Sequence, residues 1–290
     1  MSDTKNILVT GANGQLGMEF RELQKEFPLF RFLFASKDEL SITDSTSIRS
    51  YFSQHAIDHC INCAAYTAVD KAETEKDIAL QVNAAAVGNL AAVCKEYKTT
   101  FIHFSTDYVF NGTATEPYKP TDSTDPVNFY GQTKLEGEEF ALTNNSDSII
   151  IRTSWVYSSF GKNFVKTMLR LMAEKESIGV VADQYGCPTY AADLAHAVMQ
   201  IISHDKIQPG IYHYCNTGII NWHQFATAVK EISNSSCMVN PIATSDYPTP
   251  ASRPAYSALD NGLIAATFDL RIPGWRESLE QCIHLIAKNN

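Results

Sequence analysis

Short apolar runs alternate with stretches of helical periodicity through the first half of the chain. Ile7-Leu8-Val9 is continuously apolar and flanked by polar residues, as expected for a strand buried on both faces. Phe30–Ser36, Cys60–Ala65, Thr100–Ser105 and Ser148–Ser154 read the same way. Between these runs the period changes. A helical pattern starts at Met18, another covers 45–54, and a third covers roughly 129–143. Ile78, Val82, Ala86, Leu90, Val93 and Tyr97 recur at helical spacing and predict one long amphipathic helix. Strands alternating with helices predict an α/β fold, a doubly wound parallel sheet whose ligands sit at the carboxyl ends of the strands.

The second half is less regular. Helical patterns fall near 163–174, 190–203, 221–233 and 275–288, and short apolar strands near 178–182 and 211–214. Pro248-Thr-Pro-Ala-Ser-Arg-Pro254 is stiff and lacks the N–H groups a sheet interior needs. The expected division is a dinucleotide-binding domain over 1–155 and a smaller, mixed α/β substrate lobe over 156–290. Part of about 190–215 should return to the first sheet.

Three glycines follow the first strand in Thr10-Gly-Ala-Asn-Gly-Gln-Leu-Gly17. Gly11 permits a tight turn, Gly14 lets backbone approach a pyrophosphate, and Gly17 allows close helix packing. The next helix would then aim its N–H groups and positive dipole end at the ligand. The spacing is one residue longer than the usual dinucleotide fingerprint.

Farther along, Tyr130 and Lys134 stand four apart on a predicted helix and share a face. A free tyrosine, with a pKa near 10, is a poor acid–base group at neutral pH. A nearby ammonium should lower that value and let the phenol protonate a carbonyl oxygen as hydride reaches its carbon. Thr106, at the end of the fourth strand, has a hydroxyl that could bind the same oxygen. Asn83 is polar inside an apolar helix, where asparagine is a poor helix former, and is expected as a buried relay behind Lys134.

Bulk properties narrow the partners. A net charge of -9 argues against non-specific nucleic-acid binding, so any anionic ligand needs a locally basic pocket. The 44% hydrophobic and 19% charged content is ordinary for a folded globular protein. The first strand begins too early for a signal peptide, and no uninterrupted apolar run approaches transmembrane length, so a cytoplasmic protein is expected. Seven scattered cysteines suit reduced thiols better than a disulfide framework. Cys60-Ile-Asn-Cys63 lacks the partner pair a zinc site needs.

The glycine loop, the tyrosine–lysine pair and Thr106 together resemble the extended short-chain dehydrogenase/reductase family. Further stretches sharpen the likeness: Asn62-Cys-Ala-Ala-Tyr-Thr-Ala-Val-Asp-Lys-Ala-Glu73, Ser105-Thr-Asp-Tyr-Val-Phe110, Arg152-Thr-Ser-Trp-Val-Tyr157, Asp183-Gln-Tyr-Gly-Cys-Pro-Thr189 and Tyr247–Pro254. They are similar to the branch that reduces the C4 ketone of a dTDP-bound deoxysugar with NADPH or NADH. The resemblance implies Tyr130 as proton donor, with Lys134 as its partner and a contact of the nicotinamide ribose. It implies cofactor contacts at Gly11, Gly14, Gln15, Leu16, Gly17, Ser36, Lys37, Ser41, Ile42, Ala64, Ala65, Tyr66 and Thr67. Thr106, Asp107 and Trp155 would border the sugar.

Arg253 offers the diphosphate a bidentate guanidinium, and Trp222 is a candidate for stacking on base or sugar. Cofactor sites that prefer NADH usually place an acidic residue about 20 residues after the glycine loop. Here the second strand ends at Ser36-Lys37, so Lys37 could meet a 2′-phosphate and NADPH should be accepted. Some members of the family hold Mg²⁺ with glutamates at a dimer contact. Glu19 matches one of them, but Ala191-Ala192-Asp193 stands where another is expected. No metal is expected, and either a monomer or a homodimer is compatible. Two alternatives share the fold: a nucleotide-sugar epimerase, and a non-catalytic subunit similar to the regulatory subunit of methionine adenosyltransferase.

Overall fold

The computed structural model describes residues 4–204 and 206–288. Six strands form one parallel sheet: β1 (Lys5–Thr10), β2 (Phe30–Ala35), β3 (His59–Asn62), β4 (Thr100–Thr106), β5 (Ile149–Thr153) and β7 (Gly210–His213). Their spatial order is β7-β5-β4-β3-β1-β2, and every neighbouring pair runs parallel. The chain leaves β1 toward β2 on one side and resumes with β3 on the other. That reversal opens a crevice at the carboxyl ends of β1 and β3, where doubly wound sheets bind ligands.

The apolar runs become strands because both faces of the sheet are covered. On one face, α1 (Gln15–Leu23), α6 (Ala191–Ser203) and α8 (Gly262–Phe268) pack over Ile7, Val9, Ile61, Ile102 and Ile151. On the other, α2 (Ser45–Gln54) and the long α3 (Lys76–Glu96) cover Leu8, Cys60, Phe101 and Ile150, with α4 (Phe129–Asn144) lying against α3. The α3 helix is long and apolar enough to cross a membrane by length and composition, although no uninterrupted apolar run marks it in the sequence. Here it is a packed layer of the core.

The smaller lobe gathers α5 (Phe164–Glu174), α7 (Trp222–Ile232) and α9 (Trp275–Lys288) around a third apolar cluster. It carries a two-stranded parallel sheet of β6 (Ser177–Val181) and β8 (Met238–Ile242). Chain from beyond residue 190 returns to the large sheet: α6 packs on α1, and β7 pairs with β5.

β8 and α8 are among the elements that escaped the sequence pattern. β8 carries Pro241, which argues against a strand, yet it lies at an edge where the missing N–H costs little. α8 is only seven residues long and ends on Asp269 in a left-handed conformation. The expected helix of 78–97 is continuous, but its buried face is displaced. A π turn at Gln81–Ala85 inserts an extra residue and rotates the stripe, leaving Ile78 about half exposed at 51%.

Candidate active site

The glycine loop turns at Gly11, whose φ of +62° favours a residue without Cβ. A Cβ there would also lie 2.6 Å from Ala64 N, so the β1 and β3 loops touch backbone to backbone. Helix α1 begins earlier than its apolar pattern, at Gln15, with Gly14 as its cap and no side chain bonded to the open end. Met18 N–H returns to the Gly14 carbonyl at 2.9 Å. The first-turn N–H groups of Gln15, Leu16 and Gly17 have no intrahelical acceptor, which suits an anionic group. The Gln15 side chain faces the other lobe, accepting from Asn163 Nδ2 at 2.9 Å.

Past β2, Ser36 N–H donates to Glu39 Oε2 at 2.8 Å. That bond from Ser36 holds the Glu39 carboxyl below its usual range and turns it back on its own loop. Lys37 is left exposed beside it. Ser41 is bonded to Thr43 at 3.0 Å, and the Ile42 side chain is in the core at 6% exposure.

The loop after β3 carries Ala64, Ala65, Tyr66 and Thr67, and Asn83 anchors it. Asn83 Oδ1 accepts from Tyr66 N–H at 2.8 Å, while Nδ2 donates to Tyr66 O and Thr133 Oγ1, each at 3.0 Å. It is fully buried, but the expected relay behind Lys134 is corrected: its bonds go to the loop and to α4. The π turn explains the difference, since it re-aims position 83 toward that loop. Gly137 on α4 admits the bulge, as a Cβ there would lie only 2.1 Å from Asn83 O.

Asn128 caps α4 by accepting from Gly131 N–H at 2.8 Å, which sets Tyr130 and Lys134 on the face toward β4. Tyr130 crosses Tyr108 edge-on, ring centroids 6.0 Å apart. Burial first, and then the Asp107 charge, push the Tyr130 phenol well above 10, against a smaller lowering by the neighbouring Thr106 hydroxyl. The expected lowering by Lys134 is therefore not found. Lys134 is buried and reaches into the sheet, donating to Phe104 O at 2.7 Å, with His103 Nε2 at 3.2 Å. Its own pKa falls to about 8 because burial disfavours the ammonium, against the pull of Glu138. Glu138 forms a buried, forked pair with Arg152 of β5, at 2.9 Å to Nε and 2.7 Å to Nη2.

Thr106 Oγ1 donates to Asp107 Oδ1 at 3.0 Å and accepts from Tyr108 N–H at 3.2 Å. Asp107 is 2% exposed, and burial raises its carboxyl to about 6. Its Oδ2 has no partner of good hydrogen-bond geometry among the described residues, the nearby Ser257 hydroxyl only partly offsetting the burial. Three groups able to hold or move a proton thus meet at the carboxyl end of β4.

Beside them lies a cavity of about 410 Å³, bordered by Asp70 and Tyr108 of the sheet domain and by Met168, Trp222, Tyr247 and Arg253 of the smaller lobe. Arg253 Nη2 pairs with Asp70 Oδ1 at 2.9 Å, and its guanidinium lies 5.9 Å from the Tyr108 ring centre. Trp155, in a left-handed conformation at φ +47°, stacks on Trp222 with ring centroids 3.5 Å apart. Trp155 supports the wall from behind; Trp222 lines it. Reading the sequence missed Asn62, Asp70 and His103. For Asn62 and His103 the signal was a polar residue within each of the apolar strand runs Cys60–Ala65 and Thr100–Ser105.

A parallel sheet opening onto a glycine loop, with a phenol and a threonine hydroxyl across the same edge, is the architecture of short-chain dehydrogenases and reductases. Within that class, the chain belongs to the family described as RmlD substrate binding domain, whose model matches residues 5–287. It is 42% identical to the spore coat polysaccharide biosynthesis protein SpsK of Bacillus subtilis, over 95% of each chain. It is 39% identical to dTDP-4-dehydrorhamnose reductase of Aggregatibacter actinomycetemcomitans, covering 94% of this chain and 97% of the relative. The structure of dTDP-4-dehydrorhamnose reductase from Bacillus anthracis in complex with NADP superposes with a TM-score of 0.92 at 37% identity, over 97% and 99% of the two chains.

Proposed function

We propose that this chain is a cytoplasmic, NAD(P)H-dependent dTDP-4-dehydrorhamnose reductase that reduces the C4 ketone of dTDP-4-dehydro-L-rhamnose to give dTDP-L-rhamnose. The observation carrying the reaction type is the Tyr130–Thr106–Asp107 cluster at the sheet edge that also bears the glycine loop. The substrate assignment rests on near full-length likeness to reductases of that name.

The residues fit a dinucleotide. Gly11 and Gly17 leave room where a Cβ would strike backbone, and the open end of α1 suits a pyrophosphate. Asn83 fixes the loop of Ala64–Thr67 that would border the nicotinamide side. A reduced nicotinamide, when bound, supplies the hydride. Tyr130 protonates the ketone oxygen, and its raised pKa suits that direction, because a phenol is the form that can give a proton. Thr106 orients the oxygen, and Asp107 Oδ2 is free to accept from a sugar hydroxyl. Arg253 takes the diphosphate and Trp222 the base or sugar, both facing the same cavity.

The test is NADPH oxidation on adding dTDP-4-dehydrorhamnose, followed by absorbance and compared with other keto-sugar nucleotides. Stoichiometric NADP⁺ formation is expected, which a net-redox-neutral epimerase or a non-catalytic subunit would not give. Tyr130→Phe should lose about 10²- to 10⁴-fold in kcat while nearly keeping cofactor affinity. An unchanged kcat rejects the assignment.

A further inference from the structure

A polar chain crosses the sheet beneath the site. Thr10 Oγ1 donates to Asn62 Oδ1 at 2.7 Å, and Ala64 N–H donates to the same oxygen at 3.3 Å. Asn62 Nδ2 then meets His103 Nδ1 at 3.0 Å, and His103 Nε2 meets Lys134 Nζ at 3.2 Å. Asn62, His103 and Lys134 are each at most 2% exposed, so no group along the chain can turn to water instead.

Donors and acceptors must alternate along such a chain. With Asn62 Oδ1 filled by Thr10 and Ala64, its amide nitrogen donates to His103 Nδ1. The ring proton must then sit on Nε2, aimed at Lys134 Nζ. That arrangement closes only around a neutral lysine amine, which accepts from Nε2–H and donates to Phe104 O. An ammonium demands the reverse: Nε2 accepting, Nδ1–H donating, and the Asn62 amide turned to present its oxygen to His103. Thr10 adapts by rotating its hydroxyl, but Ala64 N–H cannot, and it loses its acceptor.

We propose that Asn62 and His103 form a switchable relay tying the charge on Lys134 to the acceptor offered to Ala64 N–H on the β3 loop. His103 and Asn62 are positioning residues in this scheme, acting through Lys134. The relay concerns the free chain and draws on the reductase reading only in that Ala64 would border the cofactor. An oxygen of a bound dinucleotide that took the Ala64 N–H would favour the ammonium, so cofactor binding and lysine charging would reinforce each other.

The surroundings allow the switch to be set by Lys134 itself. Among the described residues, the charge acting on Lys134 is that of Glu138, which favours the ammonium and is neutralised by Arg152. The charge acting on His103 is that of Lys134; burial comes first and keeps the imidazole neutral, well below pH 6.5. From β3 the neighbour is neutral, Asn62. With Lys134 ionising at about 8, the swap falls between pH 6 and pH 10.

The test is ¹⁵N–¹H correlation NMR of the histidine rings in the cofactor-free full chain at both pH values, with His103→Gln identifying the signal. The expected result is Nδ1–H at pH 6 and Nε2–H at pH 10. The same protonated nitrogen at both values overturns the relay. Asn62→Asp presents only oxygen to His103 and should hold Nδ1–H throughout; a swap that survives this change also overturns it. Should that variant fail to fold, the wild-type spectra decide alone. Because neither readout uses turnover, a failed relay with intact ketone reduction is distinct from a failed reductase assignment.

Discussion

Glu19 shows how a single carboxyl ties the fold to pH. It is 6% exposed and accepts from Ser158 Oγ at 2.6 Å. Burial, aided by the charges of Asp193 and Glu22, raises it from 4.5 to about 7. Between those values the folded chain holds a proton that the unfolded chain has released, so stability falls as pH rises through that window. The ceiling of the loss is on the order of 3 kcal/mol, since each tenfold change in proton affinity is worth about 1.4 kcal/mol. Glu19→Gln should therefore melt above wild type at pH 8 and show no advantage at pH 4.5, followed by circular dichroism. A constant difference across that range would mean that Glu19 is not protonated in the fold. Lys37 makes a second residue-scale case. With Glu39 turned back onto Ser36 N–H, Lys37 stands exposed on the β2 loop beside Asp38. Lys37→Ala should lower kcat/KM with NADPH by roughly tenfold and leave that with NADH nearly unchanged, a phosphate–ammonium contact contributing about 1–2 kcal/mol.

At the scale of elements, α3 and α4 approach closely at two glycines, Gly88 against Phe140 and Gly137 against the distorted turn. A Cβ at Gly137 would lie 2.1 Å from Asn83 O, whereas one at Gly274 would meet nothing within 4 Å. Gly137→Ala should destabilise by about 1–3 kcal/mol in urea unfolding and lower activity, because Asn83 would release the Tyr66 loop. Gly274→Ala should be neutral or slightly stabilising. Equal effects would mean that α3 can shift at no cost. The same contact marks where legibility ended. Periodicity carries the existence of α3 and the identity of its buried residues from Ala86 to Val93, since those repeat on a regular helix. It carries no sign of the π turn, which depends on packing against a distant glycine, and so Ile78 and Asn83 were misplaced. The pair of Tyr130 and Lys134 was legible as spacing, because i and i+4 share a face wherever the helix forms. Where the lysine points was not legible, since its acceptors, Phe104 O and His103, lie on a strand that no local pattern connects to α4.

At the scale of the whole molecule, the cavity beside Tyr108 lies where the two lobes meet. Asp70 precedes the long α3, while Arg253 comes from the proline-stiffened segment near the far end of the chain. Their 2.9 Å pair, reinforced by Ala251 N–H to Asp70 at 3.2 Å, draws that segment across the cavity mouth. Proline restriction means that the segment gives up little conformational freedom when it docks. The guanidinium is only 18% exposed but keeps capacity beyond its bonds to Asp70 and Ala251 O, since it carries five donors. In a chain of net charge -9, a forked cation at this point is a strong candidate for holding a diphosphate. Arg253→Ala should raise KM for the dTDP-sugar by about tenfold or more, with kcat reduced less and the dissociation constant for NADPH unchanged by fluorescence titration. Arg253→Lys should recover only part of the loss, because an ammonium cannot reproduce the planar fork. If instead the variant weakens NADPH and leaves the sugar nucleotide untouched, the cavity between the lobes serves the cofactor, and the diphosphate site must be sought elsewhere.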